Sequence, residues 1–283
     1  MIYAFNCRNI ALHDILFSIP YYTFIPYRIQ FYPMNQSFPK ISIITICYNA
    51  AQTIEKTIKS VVAQDYPNIE YLIIDGKSKD NTLEIVAKYE DKIAMVLSEP
   101  DKGIYDAMNK GMEKATGDYI WYMHADDQIY APDTLSIIMK NHQYEDFIYG
   151  KALLIDEQGH ERSLETRKPH PSDQTLSWKT MKQGMAISHQ SMLVKRTLAP
   201  LYDLDYRYVA DFDWLIRVLK ASNTVRDTGT YWCRFAEGGI STQHRNVSLK
   251  ERFAILQKHF GLVPTVWQHV LITLKALKRG SIR

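Results

Sequence analysis

The run Ile41-Ser-Ile-Ile-Thr-Ile-Cys47 carries apolar side chains at all but two of its positions. A strand with one face in water alternates apolar and polar residues, whereas a strand covered by helices on both faces is apolar almost throughout. The run therefore predicts a buried strand of an α/β sheet. Apolar residues at helical spacing follow between residues 54 and 62, and we expect Asn49 to cap that helix.

Three more apolar runs repeat this pattern further along the chain. They cover residues 71–75, 93–97 and 119–123, and helical periods separate them. Strands that alternate with helices form a mainly parallel sheet through right-handed crossovers. The sequence therefore predicts a mostly parallel sheet with helices on both faces. Asp80 or Asn81 is expected to cap the second helix.

The pattern changes in the second half of the chain. A helical period at residues 135–139 leads to an apolar run at 147–155, and a loop-rich stretch extends to about residue 182. A further helical period spans 211–220, and an aromatic strand surrounds Trp232. We interpret this half as an extension of the same sheet that faces a second ligand.

The predicted organisation has three parts. They are an N-terminal extension at 1–39, an α/β domain at 40–243 that divides into halves at 40–130 and 131–243, and C-terminal helices at 244–283. The first 33 residues hold nine aromatic side chains without a steady period, and no cleavage site follows them. We hypothesise that translation starts at Met34 and that residues 1–33 are an upstream translation. An interfacial N-terminal anchor is the alternative.

The composition excludes several classes of protein. Of 283 residues, 46% are hydrophobic and 23% are charged, which is typical of a globular enzyme and not of collagen, a low-complexity chain or a coiled-coil rod. The net charge of +3 is too small to indicate a nucleic-acid partner. Three widely spaced cysteines without a C-x-x-C pair argue against a disulfide framework or a zinc site, and they favour a reducing cytoplasm.

The C-terminal region is basic. From His244 onward there are eight lysines and arginines and a single acid, Glu251. Between residues 263 and 279, apolar residues such as Trp267 mix with basic ones, which is typical of a helix at an anionic membrane surface. A helix that packs on the domain with a solvated basic end has the same pattern, so both interpretations stay open. No run reaches the roughly 20 apolar residues that a membrane-spanning helix needs.

Acidic residues follow two of the predicted strands. His124-Ala-Asp-Asp127 comes directly after the run at 119–123, and Asp75 ends the run at 71–75. In an open parallel sheet, ligands bind beyond the carboxyl ends of the strands. Adjacent carboxylates there suit a divalent cation that holds a diphosphate, and Asp75 can accept hydrogen bonds from a nucleobase or a ribose hydroxyl. A solvated turn, with an aspartate that caps the next helix, is the alternative for the first group.

Four stretches of the sequence carry a resemblance to a known family. They are Ile41-Ser-Ile-Ile-Thr-Ile-Cys-Tyr-Asn49, Ile73-Ile-Asp-Gly-Lys-Ser-Lys-Asp-Asn-Thr82, Glu99-Pro-Asp-Lys-Gly-Ile-Tyr-Asp-Ala-Met-Asn-Lys-Gly111 and Ala115-Thr-Gly-Asp-Tyr-Ile-Trp-Tyr-Met-His-Ala-Asp-Asp127. In this order they closely resemble the family-2 glycosyltransferases with the GT-A fold. Weaker similarity extends through Ser188-His-Gln190 and Ala210-Asp-Phe-Asp-Trp214 to Gly238-Gly-Ile-Ser241. The resemblance implies a GT-A-type nucleotide-binding α/β fold, with a mostly parallel central sheet flanked by helices and here a C-terminal helical extension.

The resemblance implies an inverting transfer of a sugar from a nucleotide-diphosphate sugar to an acceptor hydroxyl, with Mn²⁺ or Mg²⁺ as cofactor. Asp127 matches the family's metal-binding aspartate, and Asp126 matches its neighbour near the metal and the ribose. Many members have a second aspartate where this chain has Gly76. The implied nucleotide-sugar-binding residues are Thr45, Tyr48, Asn49, Asp75, Asp101, Lys102 and Asp126.

The resemblance also implies a catalytic residue in the second half of the chain. Asp211 matches the aspartate proposed as the family's general base, although Ala210 replaces the glutamate that precedes it. Asp213 is the reserve candidate, and an acid stabilised by the helix dipole is the alternative interpretation of Asp211. His189 competes as a base because an imidazole titrates near neutrality, and with Gln190 it is an acceptor-side candidate.

Two other classes of function stay open. A non-catalytic relative that binds nucleotide sugars or glycans would fit the departures at Gly76 and Ala210. A nucleotidyltransferase would also use a parallel sheet and a bound metal, but it should have a Gly-rich loop where this chain has Cys47-Tyr-Asn-Ala-Ala51. Bacterial relatives commonly glycosylate lipid-linked precursors of surface polysaccharide. We therefore expect a cytoplasmic enzyme of polysaccharide or glycolipid biosynthesis, peripheral on the inner face of the plasma membrane, without a nucleic-acid partner.

Overall fold

A computed structural model describes residues 38–278, except 157, 167–168, 186 and 237–243. Nearly all of the predicted N-terminal extension, the hypothetical start at Met34 and the stretch Gly238-Gly-Ile-Ser241 lie outside the described residues. Within those residues the strands are β1 Ile41–Cys47, β2 Ile69–Asp75, β3 Met95–Ser98, β4 Tyr119–Tyr122, β5 Gln128–Ile129, β6 Phe147–Ile155, β7 Glu161–Ser163, β8 Met192–Lys195 and β9 Val225–Ala236. The α-helices are α1 Ile54–Val62, α2 Thr82–Ala87, α3 Ile104–Lys114, α4 Thr134–Met139, α5 Ala210–Ala221, α6 Arg245–Phe260 and α7 Leu262–Lys278.

Four strands form the parallel half of the sheet in the order β3-β2-β1-β4. Each of them overlaps one of the predicted apolar runs, and β1 has the predicted bounds. The register pairs Cys47 with Asp75 and Asp75 with Ser98, so β1, β2 and β3 end side by side. The loops that follow these strands therefore meet at one edge of the sheet.

The second half of the chain extends the same sheet with mostly antiparallel pairs. β8 pairs antiparallel with β4 and β6, β9 pairs parallel with β6 and antiparallel with β5, and β7 pairs antiparallel with β6. α4 lies between β5 and β6, and α5 lies between β8 and β9, but neither helix joins two strands that pair with each other. The parallel strand–helix–strand crossovers of the first half are therefore not repeated here. The predicted mostly parallel sheet flanked by helices is confirmed, with the parallel pairs concentrated in its first half.

Helices cover both faces of the sheet, as the nearly all-apolar β1 requires. α1 and α4 pack on one face with Ile43 and Trp121, and α3, α5 and α6 pack on the other face with Ile44 and Tyr122. α3 approaches the sheet closely at Gly111, where a Cβ atom would lie 2.6 Å from Cγ2 of Ile44. A larger residue at this position would push α3 away from the strands.

One of the predicted helix caps is wrong and the other is confirmed. Thr53, and not Asn49, lies at the N-terminus of α1. Asn49 has a positive φ of 48°, and its Oδ1 accepts the backbone N–H of Lys79 at 2.9 Å, so it supports the loop after β2 instead. At α2, a carboxylate oxygen of Asp80 accepts the backbone N–H of Thr82 at 3.1 Å, as predicted. Asn49 bonds a residue distant in sequence and so does not cap α1, whereas Asp80 bonds a residue two positions away at the start of α2.

The C-terminal extension consists of α6 and α7, which meet at Gly261. The φ of Gly261 is 85°, a conformation that favours glycine and ends α6 sharply. In the part of the chain that the structure describes, no helix combines the length and the apolar character needed to cross a membrane.

Candidate active site

Asp75 lies at the end of β2 and joins the ends of three strands. Its side chain is fully buried. Oδ2 accepts hydrogen bonds from the backbone N–H of Ser78 at 3.0 Å and from the hydroxyl of Ser98 at 2.6 Å, while Oδ1 accepts one from the hydroxyl of Ser78 and lies 3.6 Å from the thiol of Cys47. The carboxylate already has protein donors. A direct contact with a nucleobase stays a prediction and would require an exchange of these partners.

Asp101 lies directly above Gly76. A Cβ atom at position 76 would be 2.4 Å from Oδ2 of Asp101 and 3.4 Å from the ring of Tyr48. Gly76 therefore makes room for a carboxylate that comes from the loop after β3. Oδ1 of Asp101 accepts the backbone N–H of Gly103 at 2.8 Å, which orients the side chain. Because Tyr48 is 59% exposed, an aromatic ring and a carboxylate lie together at the open edge of the sheet.

The other predicted donor-side residues take different positions. Asn49 is exposed beside Tyr48, and Lys102 is exposed in the loop after β3. The position of Thr45 argues against its assignment to ligand binding. Its side chain is fully buried, and its hydroxyl lies 3.1 Å from the hydroxyl of Tyr71. Thr45 is two residues before the end of β1, so its side chain belongs to the core beneath the edge and not to the surface.

The residues His124-Ala-Asp-Asp127 form a turn after β4 with two different carboxylates. Asp127 is buried, and its Oδ2 accepts the backbone N–H of His124 at 2.9 Å. The hydroxyl of Thr57 donates to the backbone carbonyl of Asp127 at 2.6 Å, which fixes the turn on α1. Burial and the negative charge of Asp126 raise the pKa of the Asp127 carboxyl well above its usual range. Asp126 is exposed, so the turn presents one open carboxylate with a second one behind it.

These two carboxylates fit a divalent cation. Both are hard oxygen donors, and neither forms an ion pair with a lysine or arginine within the described residues. The alternative, in which one of them caps the next helix, is wrong because Asp133 lies at the N-terminus of α4. The described residues contain no cluster of three or more His, Cys, Asp or Glu side chains that could hold a metal. A cation at this turn would therefore need further oxygen atoms from a ligand or from water.

His189 and Gln190 lie beside the same turn, in a short 3-10 helix before β8. Nε2 of Gln190 is 3.4 Å from Oδ1 of Asp127, and the imidazoles of His189 and His124 stack with centroids 5.8 Å apart. Burial lowers the pKa of His189 to about 3, so its imidazole is neutral and a weak proton acceptor near pH 7. Among the described residues, Nδ1 of each imidazole is buried without a hydrogen-bond partner. These features favour His189 as a polar contact over His189 as a base.

Asp211 lies in the first turn of α5 and is connected to His189 through two tyrosines. Nε2 of His189 is 2.8 Å from the hydroxyl of Tyr202, whose ring stacks on Tyr105 with centroids 5.4 Å apart. The hydroxyl of Tyr105 donates to Oδ1 of Asp211 at 3.1 Å. Burial raises the pKa of the Asp211 carboxyl, while the charge of Arg252 and the Tyr105 hydrogen bond oppose this rise. A carboxyl with a raised pKa is a better proton acceptor than an ordinary aspartate.

The turn that precedes Asp211 is fixed by a residue of the C-terminal extension. In α6, Oε1 of Glu251 accepts the backbone N–H of Arg207 at 2.9 Å, and Oε2 accepts those of Tyr208 at 2.9 Å and Val209 at 3.1 Å. All three residues precede α5, which begins at Ala210, so Glu251 holds the backbone that leads into this helix. The C-terminal extension is therefore part of the scaffold of the site.

The surroundings of Asp213 argue against its reserve assignment as the base. Its buried carboxylate lies 2.6 Å from Nε of Arg217, 2.8 Å from Nε2 of His259 and 3.3 Å from Nζ of Lys258. Burial alone would raise the pKa of Asp213, but the hydrogen bond from His259 and the charges of Arg217 and Lys258 lower it to about 2. Such a carboxylate is a poor proton acceptor. It joins α5 to α6 through charge instead.

Three residues around the site were missing from the predicted set, namely Tyr105, Tyr202 and Glu251. Tyr105 belongs to the stretch from Glu99 to Gly111 that resembles the family, and a tyrosine on the apolar face of a helix that follows a ligand loop was an available signal. Tyr202 lies in a loop without a pattern. Glu251 is the single acid of a basic segment, which marked it as unusual but did not indicate its partners.

Comparison with known sequences identifies relatives over most of the folded region. Residues 42–199, more than half of the chain, match the family described as glycosyl transferase family 2. An uncharacterised glycosyltransferase of Mycobacterium tuberculosis is 31% identical over 222 residues, which cover 75% of this chain and 80% of the relative. A PGL/p-HBAD biosynthesis glycosyltransferase of Mycobacterium bovis is 31% identical over 189 residues, which cover 63% of this chain and 69% of the relative.

Solved structures with the same fold are more distant in sequence. Staphylococcus aureus TarS in complex with UDP-GlcNAc superimposes with a TM-score of 0.59 at 19% identity, over 77% of this chain and 64% of TarS. The mannosyltransferase PcManGT of Pyrobaculum calidifontis, in complex with GDP-Man and Mn²⁺, superimposes with a TM-score of 0.60 at 18% identity, over 86% of this chain and 70% of that enzyme. At these identities the similarity concerns the fold, which is of the GT-A type. Because the family match covers residues 42–199, more than half of the chain, this chain belongs to glycosyl transferase family 2 and is a glycosyltransferase.

Proposed function

We propose that the chain is an inverting, metal-dependent glycosyltransferase that moves a sugar from a nucleotide-diphosphate sugar to an acceptor hydroxyl. The observation that carries this proposal is the presence of two separate acidic sites, the open carboxylate of Asp126 at the sheet edge and the carboxyl of Asp211, whose pKa is raised. Direct displacement needs one base and one stabiliser of the leaving group, and it needs no covalent nucleophile. The two sites supply one group for each task.

Asp211 is the proposed general base. An acceptor hydroxyl is a poor nucleophile, so Asp211 removes its proton while the acceptor oxygen forms a bond to the anomeric carbon. The bond between that carbon and the diphosphate oxygen breaks at the same time, and the electron pair leaves with the diphosphate. Asp126 and Asp127 would hold a Mn²⁺ or Mg²⁺ ion, whose positive charge offsets the charge that the departing diphosphate gains.

The donor is proposed to bind across the ends of β1, β2 and β3. The exposed ring of Tyr48 offers a stacking surface for a nucleobase, and the carboxylate of Asp101 can accept a hydrogen bond from a base N–H. UDP-GlcNAc and GDP-Man occupy the structures of TarS and PcManGT, which supports a uridine or guanosine diphosphate sugar here. The carboxylate of Asp101 then occupies the space that the side chain of a second aspartate, at position 76, would fill.

Gly76→Ala should weaken donor binding without unfolding the protein. The new methyl group would meet the end of the Asp101 side chain, which can move, so the cost in stability should be small. The displaced carboxylate would lose its contact with the base, and the loss of one charge-assisted hydrogen bond should raise the donor Kd about 10-fold. Calorimetric titration with UDP and GDP measures this Kd. An unchanged Kd for both nucleotides in Gly76→Ala and in Asp101→Asn would contradict the assignment.

The acceptor is proposed to be a glycan or a lipid-linked precursor at a membrane surface. α7 exposes a row of apolar side chains, of which Val263 is 80% and Trp267 is 64% exposed. Leu262, Val266, Val270 and Leu274 are also exposed on this helix. The chain carries no acid from Arg252 to its end, so this surface is complementary to an anionic lipid bilayer. The mycobacterial relatives named for PGL/p-HBAD biosynthesis support a glycolipid context.

The double variant Val263→Ser, Trp267→Ser should lose membrane binding. The wild type should sediment with vesicles that contain phosphatidylglycerol. Loss of two apolar side chains that would insert into the bilayer should reduce the bound fraction by at least about 10-fold. Ile137→Ser, which alters a 43%-exposed apolar residue on α4, is the matched control and should bind like the wild type. Equal sedimentation of the double variant and the wild type would contradict the assignment of α7 as a membrane-binding surface.

A donor screen tests the catalytic proposal. Purified protein is incubated with UDP- and GDP-sugars and MnCl₂, with and without a polyprenyl-linked or glycan acceptor, and the released nucleotide diphosphate is measured. We expect release that depends on the metal and increases with acceptor. Binding of a nucleotide sugar without any turnover would instead support the non-catalytic alternative. Release of sugar 1-phosphate, the leaving group when the nucleotidyl group of the donor is transferred, would support a nucleotidyltransferase.

A further inference from the structure

Tyr105 connects the loop after β3 to the first turn of α5. It is the second residue of α3, and its side chain is 91% buried, since only 9% of its surface is exposed. Its hydroxyl donates to Oδ1 of Asp211 at 3.1 Å, across 106 positions of sequence. No other described residue outside α5 donates a hydrogen bond to this carboxylate in the structure.

We propose that Tyr105 is a positioning residue that holds the carboxylate of Asp211 in its reactive orientation and couples it to the donor loop. The inference rests on the proposed function of Asp211 as the base. Tyr105 does not itself touch the reacting atoms. It lies in α3, which begins directly after the loop that holds Asp101, and it contacts the proposed base Asp211.

The position of Tyr105 is itself tightly determined. Its ring stacks on Tyr202, and the main chain of Tyr202 is held at both ends by Asn109 of α3, with hydrogen bonds of 2.7 Å and 3.0 Å. The close contact of Gly111 with Ile44 fixes α3 on the sheet. A tyrosine mounted in this way offers a donor at one place, so Asp211 keeps one orientation and not several.

The donor loop leads directly into this helix. Oδ1 of Asp101 accepts the backbone N–H of Gly103, and Oδ2 of Asp106 accepts that of Lys102 at 3.0 Å. Tyr105 follows Gly103 by two residues. A ligand that contacts Asp101 or Lys102 therefore acts on the segment that sets the first turn of α3, and through Tyr105 on Asp211.

Two side chains outside α5 act directly on the protonation of Asp211. Tyr105 of α3 donates a hydrogen bond, and Arg252 of α6 supplies a positive charge. The hydroxyl of Tyr202, in the loop before α5, is a further titratable group, and burial and the charge of Asp211 raise its pKa. Glu251 of α6 is the nearby acid that acts on Tyr105. The Tyr105 bond favours the ionised form of Asp211 and so opposes the effect of burial. Its loss should make the base protonate at higher pH.

The test is Tyr105→Phe, which removes one oxygen atom and preserves the stacking on Tyr202. We expect the acidic limb of the kcat profile to move up by about one pH unit, because a hydrogen bond to a charged group is worth about that much. At pH values below the wild-type plateau, kcat should fall about 10-fold, while KM for the donor stays within about 2-fold. Incorporation of 3-fluorotyrosine at position 105, a stronger donor, should move the limb the opposite way.

Tyr89→Phe is the matched control because the hydroxyl of Tyr89 also donates to a carboxylate, that of Glu55 at 2.9 Å, far along the sequence from Asp211. It should leave the profile unchanged. The titration of Asp211 is followed in parallel by ¹³C NMR of labelled aspartate, with Asp211→Asn as the assignment standard. An upward shift in Tyr105→Phe supports the inference even if no donor sugar is turned over, in which case only the proposed function fails. Identical titration of Asp211 in Tyr105→Phe and the wild type would overturn it.

Discussion

Asp211→Asn is expected to lower kcat about 10³-fold, within the range for loss of a general base. The amide keeps the size of the side chain but cannot take a proton from the acceptor hydroxyl at neutral pH. Because the amide oxygen can still accept the Tyr105 hydrogen bond, we expect the fold to persist. Acceptor-dependent release of the nucleotide diphosphate measures the loss, and circular dichroism establishes that the variant is folded. Donor affinity should be nearly unchanged.

Asp213→Asn is the matched control, two residues away on the same helix, and it should show the opposite behaviour. Removal of its charge leaves Arg217, Lys258 and His259 without their shared partner, which should lower the free energy of unfolding by about 2–4 kcal/mol. The kcat of the folded fraction should stay within a few-fold of the wild type. Full activity in Asp211→Asn, or a 10³-fold loss confined to Asp213→Asn, would reverse the assignment.

The pH dependence of stability gives a further view of Asp213. Its pKa of about 2 in the folded protein lies below the value of an unfolded aspartate. Its contribution to stability is therefore complete above the unfolded pKa near 3.9 and is lost as the pH falls through about 2. Asp211, whose folded pKa is raised, contributes with the opposite sign and costs stability when it is ionised.

Asp126→Ala is expected to lower kcat about 10²- to 10³-fold in the presence of Mn²⁺, which corresponds to about 3–4 kcal/mol of lost stabilisation of the leaving diphosphate. The reason is that Asp126 provides the open carboxylate of the turn, while the carboxylate of Asp127 is partly engaged by the backbone of His124. The difference in kcat between the wild type and Asp126→Ala should shrink when the metal is omitted, because both proteins then lack the stabilisation of the diphosphate by the ion.

Asp133→Ala is the control for this charge. Asp133 is exposed at the start of α4 and forms no side-chain cap, so its removal should leave kcat and its metal dependence unchanged. Equal loss of activity in Asp126→Ala and Asp133→Ala would indicate a general effect of surface charge. It would contradict a specific cation site at the turn after β4.

Much of the parallel half could be predicted because its signals are local. The apolar run of β1 and the apolar positions of α3 depend on which faces are buried, and burial is visible in the residue pattern. The acidic turn at Asp126 and Asp127 was predictable for the same reason, because it comes directly after the apolar run that forms β4. What the pattern did not show is that one carboxylate is exposed and the other buried.

The antiparallel half and the surroundings of Asp211 depend on contacts between distant parts of the chain. Tyr105 reaches Asp211 across 106 positions, and Glu251 reaches the turn before it across more than 40. Asn49 illustrates the same limit. Its residue type is typical of a helix cap, but its side chain accepts a hydrogen bond from the distant backbone N–H of Lys79 instead. Composition and spacing carry no information about such partners. The similarity to a known family indicated Asp211 itself, but not what sets its orientation or its pKa.

The most direct test of the central claim is the binding of Mn²⁺ measured by electron paramagnetic resonance, with and without UDP or GDP. The described residues of the turn after β4 offer two carboxylates for an ion, so we expect weak binding to the protein alone and tight binding when a nucleotide diphosphate supplies further oxygens. Asp126→Ala should abolish the tight binding, and Asp133→Ala should not. Tight binding that persists in Asp126→Ala, or nucleotide binding and sugar transfer that are indifferent to the metal, would contradict the account.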